Sequence, residues 1–374
     1  MPMISSLSTG DRVRLYQKSL VVEFVEKRSV LSTSPFNGGY REDLVAVFNN
    51  DCNPGEGKIA EMRAPTYEAH MRLIAAELGL DPDRSAGLST AASMENAAVK
   101  SECYEDLTVT AIVTGGIEIN GGRVGDPASY HERKGQFEPL RLGTINIILV
   151  IDAKLPPGTL TRALVTCTEA KTAALQELMA GSNYSHGLAT GSGTDGTILV
   201  CRAESGLVLT DAGKHAKLGE LIGRTVKGTV KEALLLQTGL CPVFQHDILR
   251  RVKRYGIDED TVFERYKKEQ CGQLLQKSDF SDRLHELSHD RSLIAAASLY
   301  AHLLDQLDWA LLEPDETGEM GAALAQMMAK KINLCFQWQK ICGHTKETVM
   351  TQMVENFSSL LAAGAAKTKF LIED

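Results

Sequence analysis

Apolar and polar positions alternate in short, β-branched runs through the first two-thirds of the chain and recur at helical spacing in the last third. Leu20 to Val25 and the run around Val30 to Ser32 read as two strands. The charged break Lys27-Arg28 between them predicts an antiparallel hairpin. The stretch Ser34-Pro35-Phe36-Asn37-Gly38-Gly39 reads as a loop from its Pro and Gly content. Asp43 to Phe48 predicts a strand, and Tyr67 to Leu80 a helix closing at Gly79. Leu107 to Thr114 and Thr144 to Asp152 are rich in β-branched residues and predict two further strands. Leu160 to Met179, behind Pro156-Pro157-Gly158, predicts a helix. Thr197 to Arg202 reads as a short buried strand, and Leu218 to Gln237 as a long helix broken or softened at Gly223 and Gly228.

Strands and helices thus mix up to about residue 240, which predicts an α/β fold, a mixed sheet flanked by helices. Beyond Gly239-Leu240-Cys241-Pro242 no β-branched run appears, and helical patterns dominate from Phe244 to Leu371. The expected organisation is an α/β domain over 1–240 and an all-helical C-terminal appendage over 241–374. Within the appendage, Leu293 to Leu311 and Gly321 to Cys342 read as helices separated by the acidic turn Glu313 to Gly318.

Composition narrows the function classes. A chain of 374 residues, 43% hydrophobic and 24% charged, is long enough for one large core or two. A net charge of -8 offers no basic stripe, so no nucleic-acid partner is expected and a small molecule fits better. No apolar run approaches the ~20 residues of a membrane span, and the start MPMISSLSTGDRV has no secretory pattern, so no membrane partner and a cytoplasmic location are expected. The eight cysteines contain no C-x-x-C pair, which argues against a disulfide framework and a cysteine zinc site. A homo-oligomer stays open.

The densest candidate for chemistry is Ala189 to Thr197, where Gly191, Gly193 and Gly196 alternate with Thr190, Ser192 and Thr194 around Asp195, just before a strand. Glycines let the backbone approach a ligand and present N–H groups beside hydroxyls and a carboxylate, the makings of an oxyanion cradle with acid/base capacity. No G-K-[ST] follows and no helix comes next, so neither a Walker loop nor a dinucleotide turn is present. The bland reading is a turn whose glycines serve geometry alone. In Thr168-Glu169-Ala170-Lys171-Thr172, Glu169 can serve as a base and Lys171 as an electrostatic partner, or the two form a solvated surface pair. His215, near the start of a predicted helix, is a proton-shuttle candidate or a plain exposed side chain. Arg123 with Asp126, Asn146 after Gly143-Thr144, and Thr90 in the small-residue loop Gly87 to Ala92 sit at strand ends, where open sheets bind ligands. His285-Glu286-Leu287-Ser288-His289 matches H-E-x-x-H, with Glu313 downstream as a third ligand for zinc. The charges of Arg283, Asp290 and Arg291 around it favour an exposed helical face, so no metal is expected.

Taken in order, eight segments resemble the adenosylcobinamide amidohydrolase family of corrinoid salvage: Leu31 to Ser34 with Asn37-Gly38-Gly39, Gly87 to Ala92, Thr114-Gly115-Gly116, Arg123 to Asp126, Gly143 to Asn146, Thr168 to Thr172, Ala189 to Asp195, and His215 with Leu218 to Gly223. The resemblance covers roughly residues 15 to 240. Gly121-Gly122 before Arg123 departs from the family's usual Asn-Ala. What it implies is hydrolysis of the amide between aminopropanol and the corrin ring, giving adenosylcobyric acid, with the corrinoid as substrate and no cofactor. It implies a catalytic set drawn from Asp195, Ser192, Thr194, Glu169 and His215. Substrate contacts would come from Asn37, Gly38, Gly39, Thr90, Arg123, Asp126, Asn146, Gly191 and Gly193. A hydroxyl nucleophile and a directly activated water both stay open. A non-catalytic corrinoid binder is the rival reading, and a zinc hydrolase on His285, Glu286 and His289 a weaker one.

Overall fold

The computed structural model describes residues 3–55, 62–128, 144–270, 273–341, 343 and 345–367. It divides into two compact units, Met1–Cys241 and Pro242–Asp374.

The first unit holds strands β1 (Met3–Ser6), β2 (Arg12–Tyr16), β3 (Ser19–Glu23), β4 (Arg28–Ser32), β5 (Gly39–Arg41), β6 (Ala46–Asp51), β7 (Ser85–Thr90), β8 (Ala98–Tyr104), β9 (Leu107–Gly116), β10 (Gly121–Gly122), β11 (Thr144–Lys154), β12 (Gly191–Ser192) and β13 (Gly196–Arg202). Its helices are α1 (Tyr67–Glu77), α2 (Pro157–Glu177) and α3 (Lys217–Thr238). Where one sheet is expected, the described residues form two large sheets and a two-stranded one, β10-β12. One large sheet runs β1-β2-β3-β6-β7 and the other β5-β4-β13-β11-β9-β8. Both are mixed, with β6 parallel to β7 and β11 parallel to β13.

Side-chain alternation explains why the sheets stack. Val22, Val47 and Leu88 of the first sheet meet Val30, Ile112, Ile148, Val150 and Ile198 of the second in one buried core. The alternate residues Val21, Ala46 and Phe48 face outward under Met71, Ile74 and Ala75 of α1. In β11 every residue from Thr144 to Ile151 is buried, and its apolar run Ile147 to Ile151 covers both faces. Ile148 and Val150 face the first sheet, and Ile147, Leu149 and Ile151 project to the opposite side, where α3 packs on β8 and β9 and α2 packs on α3. The layers are therefore helix, sheet, sheet, helices.

The predicted hairpin of Leu20 to Val25 with Val30 to Ser32 does not form, because β3 and β4 belong to different sheets. β3 instead pairs with β2 through the two-residue turn Gln17-Lys18, both at positive φ (44° and 58°), the conformation that matches strand twist in tight hairpins. At Arg28 the chain crosses to the second sheet. That side chain is buried, its Nε and Nη2 donating to Asp11 at 2.9 and 2.8 Å and Nη2 also to the Thr9 carbonyl. The Gly87 to Ala92 loop is also corrected: Gly87 to Thr90 lie in β7, and the Phe48 ring occupies the space a Cβ on Gly87 would need. Helix α3 runs unbroken past Gly223 and Gly228, ending at Gly239 with φ 74°.

The second unit is all-helical in its described residues: α4 (Ile248–Val252), α5 (Glu259–Glu269), α6 (Lys277–Ser288), α7 (Arg291–Asp308), α8 (Pro314–Lys331) and α9 (Lys346–Ala366). Its own core centres on Phe280, Tyr300, Met353 and Phe357, with Tyr300 stacked on Phe357 and donating to the Met353 carbonyl at 2.8 Å. The expected acidic turn Glu313 to Gly318 is the first turn of α8. Pro314 takes the first helical position, where its missing N–H is harmless, and the Glu313 N–H donates to the Glu316 carboxylate at 2.8 Å. Among the described residues no helix is long and apolar enough to cross a membrane.

Candidate active site

Strand directions bring one group of chain ends together. β11 and β13 are parallel and begin side by side, Asn146 opposite Gly196, while antiparallel β9 ends beside them, Thr114 opposite Asn146. Asn49, near the end of β6, reaches across from the first sheet: its Nδ2 donates to Thr114 Oγ1 at 2.8 Å, and its Oδ1 accepts from Asn146 Nδ2 at 2.8 Å. Asn146 Nδ2 also donates to the Ser89 carbonyl at 3.0 Å, and its Oδ1 accepts the Gly196 N–H at 3.0 Å. This buried amide chain satisfies every polar group it buries, which ties both sheets and the start of β13 together. Asn146 is thereby placed beneath the 189–196 loop as a support.

Asp195 sits on that support. Its Oδ1 accepts the Ser192 hydroxyl at 2.6 Å and the Ile145 N–H at 2.9 Å, and its Oδ2 accepts the Ser192 N–H at 3.1 Å and the Lys171 ammonium. The side chains of Lys171 and Asp195 are each only 12% exposed. Ser192 Oγ also accepts the Thr194 N–H at 3.2 Å, and Thr144 Oγ1 donates to the Thr194 carbonyl at 2.8 Å. Asp195, Ser192 and Thr194 are therefore one constellation. Gly191 is required within it, since a Cβ there would run into Asp195 Oδ2 and Lys171 Nζ. Gly193 lies on the exposed side, facing the Asn120 amide, which accepts from Tyr184 OH at 2.9 Å.

β10 pairs with β12, Gly121 opposite Ser192, so the Gly121 to Asp126 turn lies against the same loop. Thr190 Oγ1 accepts the Val124 N–H at 2.9 Å, and Arg123 Nη1 donates to the Leu188 carbonyl at 3.2 Å. Partial burial pushes the Asp126 carboxyl up, but hydrogen bonds from Ser182, Ser185 and the Arg123 N–H outweigh it and hold it below the usual carboxylate range. Arg123 and Asp126 thus join the cluster through the loop's frame. Thr90 ends β7 and its Oγ1 accepts the Ala92 N–H at 3.0 Å.

Other candidates lie apart. Glu169 is exposed and pairs with Lys214 at 3.3 Å, and His215 is exposed. Neither hydrogen-bonds to Asp195, Ser192 or Thr194 among the described residues. The helix itself separates them: Glu169 and Lys171 are two positions apart on α2, about 200° around its axis. Asn37 spends its amide on the carbonyls of Pro82 and Ser85, at 2.8 and 2.7 Å. It stands at the start of β7, about 16 Å of strand from Thr90. A Cβ on Gly38 would strike the Ser34 carbonyl, and Gly39 holds φ 81°, so this turn reads as geometry. Gly143 lies outside the described residues.

Sequence reading named Lys171 as an electrostatic partner and placed Thr114 and Thr144 in family-like segments, but it missed their pairing with Asp195, Asn49 and Thr194, and it missed Asn49, Asn120 and Tyr184 altogether. One signal existed for Asn49: an amide directly after the apolar run Val45-Ala46-Val47-Phe48 is a buried polar group needing partners.

A family model described as adenosylcobinamide amidohydrolase matches residues 4–242. An uncharacterized protein of Methanocaldococcus jannaschii is 37% identical over 231 residues, covering 59% of this chain and 87% of that protein. The match begins near the first strand and ends at the boundary between the two units. On this extent of matching, the chain belongs to the adenosylcobinamide amidohydrolase family.

Proposed function

We propose that the first unit hydrolyses the amide joining aminopropanol to the corrin ring of adenosylcobinamide, releasing adenosylcobyric acid, and that Asp195, Ser192 and Lys171 carry the reaction. Family membership supports the amidohydrolase class. The observation that carries the assignment is the 2.6 Å hydrogen bond from Ser192 Oγ to an Asp195 carboxylate that Lys171 also grips. A hydroxyl so placed is polarised for attack, and an adjacent cation and N–H groups offset charge that develops in the transition state.

In this reading Ser192 Oγ bonds to the amide carbonyl carbon while its proton passes to Asp195. The carbon–nitrogen bond breaks as the Lys171 ammonium protonates the departing nitrogen, and Asp195 returns its proton to Lys171. Water then cleaves the ester, giving its hydroxyl to the acid and a proton to Ser192. Thr194, Arg123, Asp126 and Thr90 belong to the frame that receives the substrate's amide fringe. A water activated directly by Asp195 is the second form, favoured by the same carboxylate.

The test is release of aminopropanol from adenosylcobinamide by the purified full chain. Asp195→Asn should abolish release while the corrinoid still binds, seen as an unchanged spectral shift. Ser192→Ala separates the two forms, since activated water survives it and a serine nucleophile does not. Binding without product in the unaltered protein would make it a corrinoid binder, and full activity in Asp195→Asn would remove the loop from the chemistry.

A further inference from the structure

His285 and His289 stand one helical turn apart at the C-terminal end of α6, ring centroids 4.3 Å apart and planes inclined by 45°. Both are exposed. His289 Nδ1 lies 2.9 Å from the His285 carbonyl oxygen and 3.1 Å from Ser288 Oγ, and in the tautomer that donates to the carbonyl the lone pair of the neutral ring is on Nε2. An imidazole held by its other nitrogen on a carbonyl is the usual supporting arrangement for a metal-binding histidine. The His285 ring makes no hydrogen bond among the described residues.

Both rings line a cavity of about 370 Å³ with Asp247, Arg250, Glu259 and Ser281. The two carboxylates there are engaged with the protein. Asp247 accepts the Leu249 N–H at 2.8 Å and faces Arg250 at 3.7 Å, and Glu259 accepts the Ser281 hydroxyl at 2.5 Å. The Arg250 guanidinium carbon lies over the Phe244 ring, 3.1 Å from its centroid. Glu286, the residue that would act as base in a zinc peptidase, is outside the cavity lining. No group of three or more His, Cys, Asp or Glu suited to a metal occurs among the described residues.

We infer that His285 and His289 form an open, two-nitrogen chelate for a late divalent transition-metal ion in the second unit, completed by water or a small anion beside Arg250. Imidazole pairs of this kind favour nickel, copper and zinc over magnesium or calcium. The site binds metal without being a zinc peptidase, because the motif's carboxylate lies off the cavity.

Ni2+ is the probe, since exposed Cys103 and Cys335 would react with Cu2+. The full untagged chain is titrated with Ni2+ by calorimetry, and imidazole carbon signals are followed by NMR. The expected result is one equivalent bound, with paramagnetic broadening centred on His285 and His289. His285→Gln and His289→Gln should each weaken binding about tenfold or more, and Glu286→Gln should leave it unchanged. Mg2+ should produce no heat. Equal Ni2+ uptake by the double His→Gln variant, uptake only at millimolar Ni2+, or broadening centred on other histidines would overturn the inference.

Discussion

Lys171 on α2 and Asp195 at the entrance to β13 form an ion pair with both side chains 12% exposed, twenty-four residues apart in the chain. The pair joins the outer helical layer to the loop that carries the hydroxyls. Because it is nearly dry, removing one partner leaves the other charge with poor solvation, a larger effect than at a surface pair.

Lys171→Met is therefore expected to lower kcat/KM for adenosylcobinamide by about 10²–10³-fold. Lys171→Arg should recover part of it, since it keeps the charge while changing its shape. Steady-state kinetics with aminopropanol detection checks both. If Lys171→Met matches the unaltered enzyme, the ammonium has no part in the reaction.

Gly191→Ala and Gly193→Ala form an internal comparison. The first pushes a methyl group into Asp195 Oδ2 and Lys171 Nζ, whereas the second meets only the Asn120 amide at 3.3 Å. An ångström of displacement at a reacting group costs about 10²-fold, so Gly191→Ala should lose at least that order of kcat/KM while Gly193→Ala stays within about twofold. Circular dichroism should show the same fold for both. Equal kinetics would mean that the ion pair tolerates displacement.

Asn146→Ala probes the support beneath the loop. It strips partners from the Asn49 amide, the Ser89 carbonyl and the Gly196 N–H, and unpaired buried groups of this kind cost about 1–3 kcal/mol each. A loss of about 3 kcal/mol is expected, lowering Tm by roughly 6–12 °C. Thermal melts of the two proteins decide it; an unchanged Tm would show that the chain of amides is replaceable by water.

Burial pushes the Cys167 thiol up to about 12 and the Cys201 thiol to about 11. Both folded values lie above the ordinary 9.0, so the stability they confer is whole below that pH and is lost as pH rises through 11 and 12. Denaturation midpoints should fall across that window, and the fall should lessen in Cys167→Ala. At pH 8 iodoacetamide should label Cys103 and Cys335, which are exposed, well before Cys167 or Cys201. Peptide mapping reads the order directly; early labelling of Cys167 would contradict its burial.

Residues 1–241 carry a core separate from that of the helical unit. A chain ending at Cys241 is expected to fold and release aminopropanol with kcat/KM within about threefold of the full protein, because this unit has its own core and carries every residue of the proposed site. Loss of activity in a folded, truncated chain would assign the second unit a part in hydrolysis.

What the sequence determined by itself is whatever rests on local periodicity and backbone chemistry. The continuous apolar run of β11, the helices α1 and α2, the change to helices after Pro242 and the glycine–hydroxyl loop around Asp195 were all legible, because neighbouring residues alone set those patterns. Tertiary structure decided the rest. The split into two large sheets rather than one goes with Arg28, which carries the chain across to a buried Asp11 partner, and no local pattern encodes which strands pair over that distance. Asp195, Ser192 and Thr194 could be grouped from sequence since they are adjacent. Lys171 joined them, and Glu169 did not, through the rotation of one helix against one loop, which depends on packing around residues far apart in the chain.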